Sequence, residues 1–413
     1  MRRRWRDRRT GLVAGLMALG LVVLAGCGSG AEPDALPAAG DAADASEPEA
    51  AGEGAEPEQA DGHDHDHSGP SYVAPGKLRR GEQRVDLAMT EPYTPSAPYG
   101  TGNDDYRCFL LDPGLEEDAW LTGTHVQPGN TATVHHVILF RVPPDQVARA
   151  EAMDAGEDGP GWTCFGGTGL DPVQGIDDAP WLGAWAPGGE ESVHRRGFGV
   201  RLEQGTRIVM QVHYNLLAGD DPDVSATQLR LTDGGRDLTA LRTMLLPAPV
   251  ELPCRPGRDG PLCDREAAMA DVKERFGQRA GATGDLLHLL CGSQPEPGQV
   301  QSCTRTVGEP TTIRGVAGHM HLLGREIRIE VNPGTDRART VLDIPVWDFD
   351  DQGARPIEPV RLQPWDTVRV TCRHVQWLRD RLPAFEGQPE RYVVWGDGTT
   401  DEMCLGILQV TRP

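Results

Sequence analysis

The chain has 413 residues and a formal charge of −22, with 38% hydrophobic residues, enough for two domains or one large one. Beyond the first ten residues no basic stretch interleaved with aromatics appears, which argues against a nucleic-acid partner. The sequence has no GxSxG, no HExxH and no glycine-rich phosphate loop, so serine-hydrolase, zincin and nucleotide-dependent chemistry have no foothold.

In chain order, the first segment is a leader. MRRRWRDRRT is basic, GLVAGLMALGLVVLA is apolar, and LAGC ends at Cys27. The apolar run is too short and too early for a permanent spanning helix. The stretch resembles the lipobox of bacterial lipoproteins. That resemblance implies residues 1–27 as signal peptide, Cys27 as a lipidated first residue, and an exported protein held to a membrane of the cell envelope. Residues 28–75 follow as an acidic linker rich in Ala, Gly, Pro, Glu and Asp, with little to bury; such a composition predicts disorder. Within it, GHDHDHSG alternates His63, His65 and His67 with carboxylates. The tract is suited to loose metal collection or to mere solvation, and it receives no site assignment.

Beyond this linker the pattern changes to short Val, Ile, Leu and Thr runs punctuated by Gly, Pro and Asp. TATVHHVILFRV, TRIVMQVHYNLL, ATQLRLT, REIRIEVNP, DTVRVTCRH and MCLGILQVT read as strands. Helical spacing is confined to PDQVARAEAM and to CDREAAMADVKERFGQRAGATGDLLHLLCG. The expectation is an all-β protein of two domains, 76–245 and 246–413, with a cysteine-flanked helical insert at about 254–303. Setting Cys27 aside leaves eight cysteines, an even number in an oxidising compartment. They are Cys108, Cys164, Cys254, Cys263, Cys291, Cys303, Cys372 and Cys404, with no CxxC pair among them. Structural bridges are expected.

Nine histidines lie outside the linker tract. His125, His194, His288 and His374 stand alone and are expected to be surface or structural residues. His135 and His136 are adjacent within VHHVILF, and His213 lies in MQVHYN. His319 and His321 flank Met320 in HMHLLG. In a strand, side chains two apart share a face, so His319 and His321 present two nitrogens to one point. Adjacent histidines point to opposite faces of a regular strand. His135 and His136 can therefore share a ligand only at an irregular or terminal position. Met403, in DEMCLGILQV, adds a thioether, which favours soft Cu(I), whereas zinc more often recruits carboxylate or thiolate.

Six stretches, YRCFLLD, VHHVILF, WTCFGG, QVHY, HMHLLG and DEMC, follow one another between about residues 104 and 410. In this order they resemble the copper type II, ascorbate-dependent monooxygenases, the family of peptidylglycine α-hydroxylating monooxygenase and dopamine β-monooxygenase. The resemblance implies two jelly-roll β-sandwich domains facing each other across a solvent-filled cleft, with two copper ions per chain. It assigns His135, His136 and His213 to an electron-donating copper, and His319, His321 and Met403 to the oxygen-activating copper. Gln211 also matches the family pattern. O2, a one-electron reductant such as ascorbate and a small-molecule substrate are implied as well. It further implies the bridges Cys108–Cys164 and Cys372–Cys404, the second clamping the strand that carries Met403. For Cys254, Cys263, Cys291 and Cys303 the three pairings stay open.

The departures bear on substrate. Peptidylglycine enzymes carry an Arg two residues before the HxH, where this chain has Ala317. The family Asn and Tyr after the methionine are Leu405 and Ile407 here. The grip on a peptide carboxylate is missing, so peptide amidation is not expected. A copper-sequestering or copper-delivering envelope protein would use the same ligands and is the competing reading; it would bind copper without consuming oxygen.

Overall fold

Strand formation follows from simple alternation. In Thr367–His374, TVRVTCRH, every second side chain is buried, so Val368, Val370, Cys372 and His374 face inward while polar neighbours face out. The same logic runs through the computed structural model, which describes residues 74–170 and 176–413. The leader, Cys27, nearly all of the linker and the His63/His65/His67 tract lie outside the described residues.

The chain is all-β, built as two sandwiches. In the first, a six-stranded sheet orders Glu82–Ala88, Ala226–Asp233, Ala119–Gln127, Phe198–Leu202 and Thr239–Ala240, with Ser192–Val193 as a side branch. It packs on a five-stranded sheet of Trp162–Thr163, Asp104–Leu111, Arg207–Asn215, Val134–Val142 and Trp181–Trp185. Leu121, Leu139, Met210, Leu229 and Leu231 fill the space between. The second sandwich has two four-stranded sheets. One orders Arg242–Pro247, Leu405–Thr411, Thr311–His319 and Arg355–Leu362; the other orders Val300–Thr306, Thr367–His374, Gly324–Val331 and Arg339–Ile344. Its core includes Leu246, Ile313, Ile329, Val370 and Leu408.

The change of sandwich falls at Leu241, between Thr239–Ala240 and Arg242–Pro247, a little before the expected cut at 245. The run TALRTMLLP has no Gly or Asn to mark a turn, so strands of the two sandwiches abut with one residue between them.

The insert forms the helix Arg265–Cys291. Asp264 caps its N-terminus through Ala267 N–H, and Gly292 ends it in the left-handed region (φ 62°). Gly277, at φ 84°, breaks the helix midway. One face, with Met269, Val272 and Phe276, packs on Tyr392 and Val394 of the second sandwich and on Phe165 of the first. The four bridges are Cys108–Cys164, Cys254–Cys263, Cys291–Cys303 and Cys372–Cys404. The first and last are those the resemblance implied. The middle two close the loop before the helix and tie the helix end to Val300–Thr306.

Candidate metal centre

Arg207–Asn215 runs between Asp104–Leu111 and Val134–Val142, and His213 lies near its end with no exposed surface. The neighbouring strand pairs Val134 with Tyr214 and His136 with His213, leaving His135 as an extra residue. That is a β-bulge, which re-aims side chains locally. It supplies the irregularity that adjacent histidines need to reach one point. The Nδ1 atoms of His135, His136 and His213 stand 3.2, 3.2 and 3.3 Å apart.

Three nitrogens cannot all satisfy one another at such distances, because each contact needs one donor and one acceptor. A cation at their centre satisfies all three. Dividing the side of that triangle by √3 puts the centre about 1.9 Å from each nitrogen, close to the roughly 2.0–2.1 Å of an imidazole–metal bond. Burial, and then the His213 ring, hold His135 and His136 well below the usual histidine range. They are therefore free bases at neutral pH, the form that binds metal.

The surroundings fix which nitrogen points inward. His213 Nε2–H donates to Asp104 Oδ1 at 2.8 Å, which leaves Nδ1 as the ligand atom. Burial opposes ionisation of Asp104, but the His213 and Thr399 hydrogen bonds hold its carboxyl at about 2. Tyr106 stacks on His213, centroids 4.1 Å apart, and its hydroxyl donates to the Asp397 carbonyl at 2.7 Å. Gln211 does not reach the rings; its amide donates to the Cys164 carbonyl at 2.7 Å and holds the cysteine–glycine segment in place.

A second group faces the first. His319 is the last residue of Thr311–His319, and His321 lies just past it in a turn. Glu402 holds that turn by accepting the backbone N–H groups of His321 and Leu323. His319 Nδ1–H donates to Gln352 Oε1 at 2.6 Å, leaving Nε2 free. Both ring nitrogens of His321 are buried without a hydrogen-bond partner, an arrangement that costs stability unless a ligand satisfies one of them. Register pairs Ala317 with Ile407 and His319 with Leu405; carried one step further it sets Met403 opposite His321. Met403 thus precedes the strand rather than lying within it. Cys404 beside it is bridged to Cys372, and the Met403 carbonyl is 3.1 Å from His374 Nε2. Burial pushes His319 down to about 3 and lowers His321 also.

The two groups touch. His136 and His319 meet edge to face at 6.0 Å, and Phe349 stacks on His135 at 4.7 Å while standing 6.5 Å from His321. The solvent-filled cleft implied by the resemblance does not separate these rings; Phe349 and Gln352 of one loop lie against His135 and His319. Of the surface or structural roles expected for the lone histidines, the structural one holds: His125, His194, His288 and His374 are all buried; His288, for example, is held by Glu251 and Ser293. Carboxylates also stand close to the ligands: Asp104, Asp397, Asp401 and Glu402 are buried around them. Asp401 and Glu402 lie inside the quoted stretch DEMC, and Asp397 lies just before it. Asp104 carried no local signal, since its partners are far away in sequence.

These environments set a pH dependence for the metal-free protein. A histidine whose folded pKa lies below its unfolded value of about 6.5 binds its proton more weakly when folded, so stability present above 6.5 is lost as pH falls. His319, at about 3, and His194, which burial and then Arg79 hold at about 4, act in this sense. His135, His136 and His321 shift the same way. Asp397 works against them: burial, with Asp401 and Asp104 nearby, raises it to about 7, so its contribution is lost as pH rises toward 7. Burial raises Asp105 as well, so it acts with Asp397; with five histidines against these two carboxylates, the thermal midpoint should fall between pH 7 and 4.5. A midpoint that is flat or rising over that interval would contradict these environments.

No protein-family model and no curated protein matches the chain. Among solved structures it is similar to a fucolectin from striped bass (Morone saxatilis) serum, at 8% identity over 81% of this chain and 97% of that one, with a TM-score of 0.18. It is also similar to the infectious bursal disease virus VP2 subviral particle, at 7% identity over 82% and 74% of the two chains, again with a TM-score of 0.18. Scores this low carry no argument.

Proposed function

We propose that the chain is a dicopper monooxygenase that hydroxylates a C–H bond of a small substrate, using O2 and a one-electron reductant such as ascorbate. The observation that carries this reading is the convergence of three Nδ1 atoms at 3.2–3.3 Å beside a second histidine pair with unsatisfied nitrogens. The residues fit the implied metal. Imidazole suits copper in either oxidation state, and a methionine at the second position favours Cu(I).

Overall, R–H, O2, two electrons and two protons give R–OH and water. Bound copper would supply the one-electron chemistry and the activation of O2. The protein supplies orientation. Asp104 fixes the tautomer and tilt of His213, and Gln352 does the same for His319. Glu402 holds the backbone between His319 and Leu323, and the Cys372–Cys404 bridge anchors the chain next to Met403. Half-buried His135, His136 and His319 keep the site reachable while limiting water. Ala317, Leu405 and Ile407 make the sheet beside His319 apolar, which suits a substrate without a carboxylate to be held there. Attachment to a cell-envelope membrane through Cys27 belongs to the same proposal and rests on the leader sequence.

Contact between the two histidine groups keeps a copper-carrying role in competition, because a carrier needs no room for substrate. Turnover separates the two. Protein lacking residues 1–70 should bind two coppers, since the six ligands lie beyond the HDHDH tract. Copper-loaded protein should then show reductant-dependent oxygen uptake with a panel of small apolar molecules. Two bound coppers with no uptake would favour the carrier, and loss of one copper on truncation would undo the ligand assignment.

A further inference from the structure

We infer that Asp104 is a positioning residue that links the two metal centres, an inference that rests on the dicopper reading. Asp104 opens the strand Asp104–Leu111 of the first sandwich. Its Oδ1 atom accepts three donors: His213 Nε2–H at 2.8 Å, Thr399 N–H at 3.0 Å and the Thr399 hydroxyl at 2.7 Å. All three residues are buried, with His213 at 0% exposure and Asp104 and Thr399 at 3%. Thr399 belongs to the segment of the second sandwich that leads, four residues on, to Met403. One carboxylate oxygen therefore holds a ligand of the first centre and the backbone that carries a ligand of the second.

The chemistry gives this arrangement a direction. A carboxylate partner on the far nitrogen of a ligating imidazole raises its basicity and fixes its ring, and loss of such a partner typically costs 10–100-fold in metal affinity. An oxygen has two lone pairs for its three donors here, so a change in the pull from His213 changes what Thr399 receives. The coupling is then reciprocal, as linkage requires. The same oxygen also latches the two sandwiches to each other at the site.

The test uses the full chain, Cu(I) and a competing chromophoric Cu(I) chelator, with carbon monoxide as an infrared reporter of the Met403 side. The parent should bind two coppers. Asp104→Asn should weaken one copper by 10–100-fold and shift the carbon monoxide stretch of the other. Thr399→Val leaves His213 its carboxylate; it should shift the same stretch while leaving the three-histidine affinity within about threefold. A merely structural Asp104 would lower both affinities together with thermal stability and would not split the two sites. A parent that fails to bind two coppers sinks the dicopper reading and this inference with it. A two-copper parent with unchanged affinities in Asp104→Asn overturns the inference alone. Should Asp104→Asn not fold, an unaltered carbon monoxide spectrum in Thr399→Val overturns the link on its own.

Discussion

Replacing His213 with alanine is expected to remove one of two bound coppers, and replacing His321 with alanine the other. Either loss should exceed the 10–100-fold that removal of an outer partner costs, because a direct ligand is lost. His213→Ala leaves two of the three converging Nδ1 atoms in place, and Asp104 still receives both Thr399 donors. Failure to fold is therefore not the expected route to copper loss. His321→Ala removes a ring whose nitrogens have no protein partner, so the fold gives up no hydrogen bond. Met403→His is a finer probe: it keeps a potential ligand but replaces a soft thioether with an imidazole, which should retain copper while disfavouring Cu(I). All three variants should lose product formation. Carbon monoxide binding by the reduced protein should change with Met403→His and survive in His213→Ala. The reverse pattern would show that the roles of the two centres are exchanged.

How much of this was legible beforehand depended on the range of the interactions. The strands were readable because alternation is local: each of the six quoted runs overlaps a strand of the structure. The histidine spacing in HMHLLG was likewise local. VHHVILF was readable only conditionally, since period-two geometry demands an irregularity there but cannot say that it exists. The bulge that provides it arises from pairing with Arg207–Asn215, some 70 residues away. Asp104, Phe349 and Gln352 went unseen for the same reason. An acidic residue opening a strand and a WDFDDQ loop have no periodicity to flag them, and their meaning comes from distant segments meeting. Only the folded chain shows that Phe349 lies against His135 and Gln352 against His319. The insert was read correctly as a helix between cysteines, yet nothing in its own sequence said what it braces.

That bracing yields the second large effect. Arg275, on the helix Arg265–Cys291, makes a two-pronged ion pair with Asp401, both contacts at 2.7 Å, and both side chains are buried. Asp401 lies two residues before Met403, so the insert grips the segment that presents the thioether. Arg275→Met should leave Asp401 buried beside Asp104 and Asp397, with no counter-charge closer than Arg391 at 3.9 Å. Breaking such a pair from one side typically costs about 3–5 kcal/mol. The loss should appear as a lower midpoint in denaturant unfolding. Removing both charges, as Arg275→Met with Asp401→Asn, should recover most of it, since the larger part of the penalty is the stranded carboxylate and not the absent attraction. If the insert only decorates the second sandwich, copper binding in Arg275→Met at a temperature where it is folded should match the parent. If the insert braces the Met403 segment, copper on that side should weaken while the three-histidine centre, held by Asp104 and the bulge, keeps its affinity. Equal weakening of both centres would mean that Arg275 stabilises the whole unit and has no particular hold on Met403.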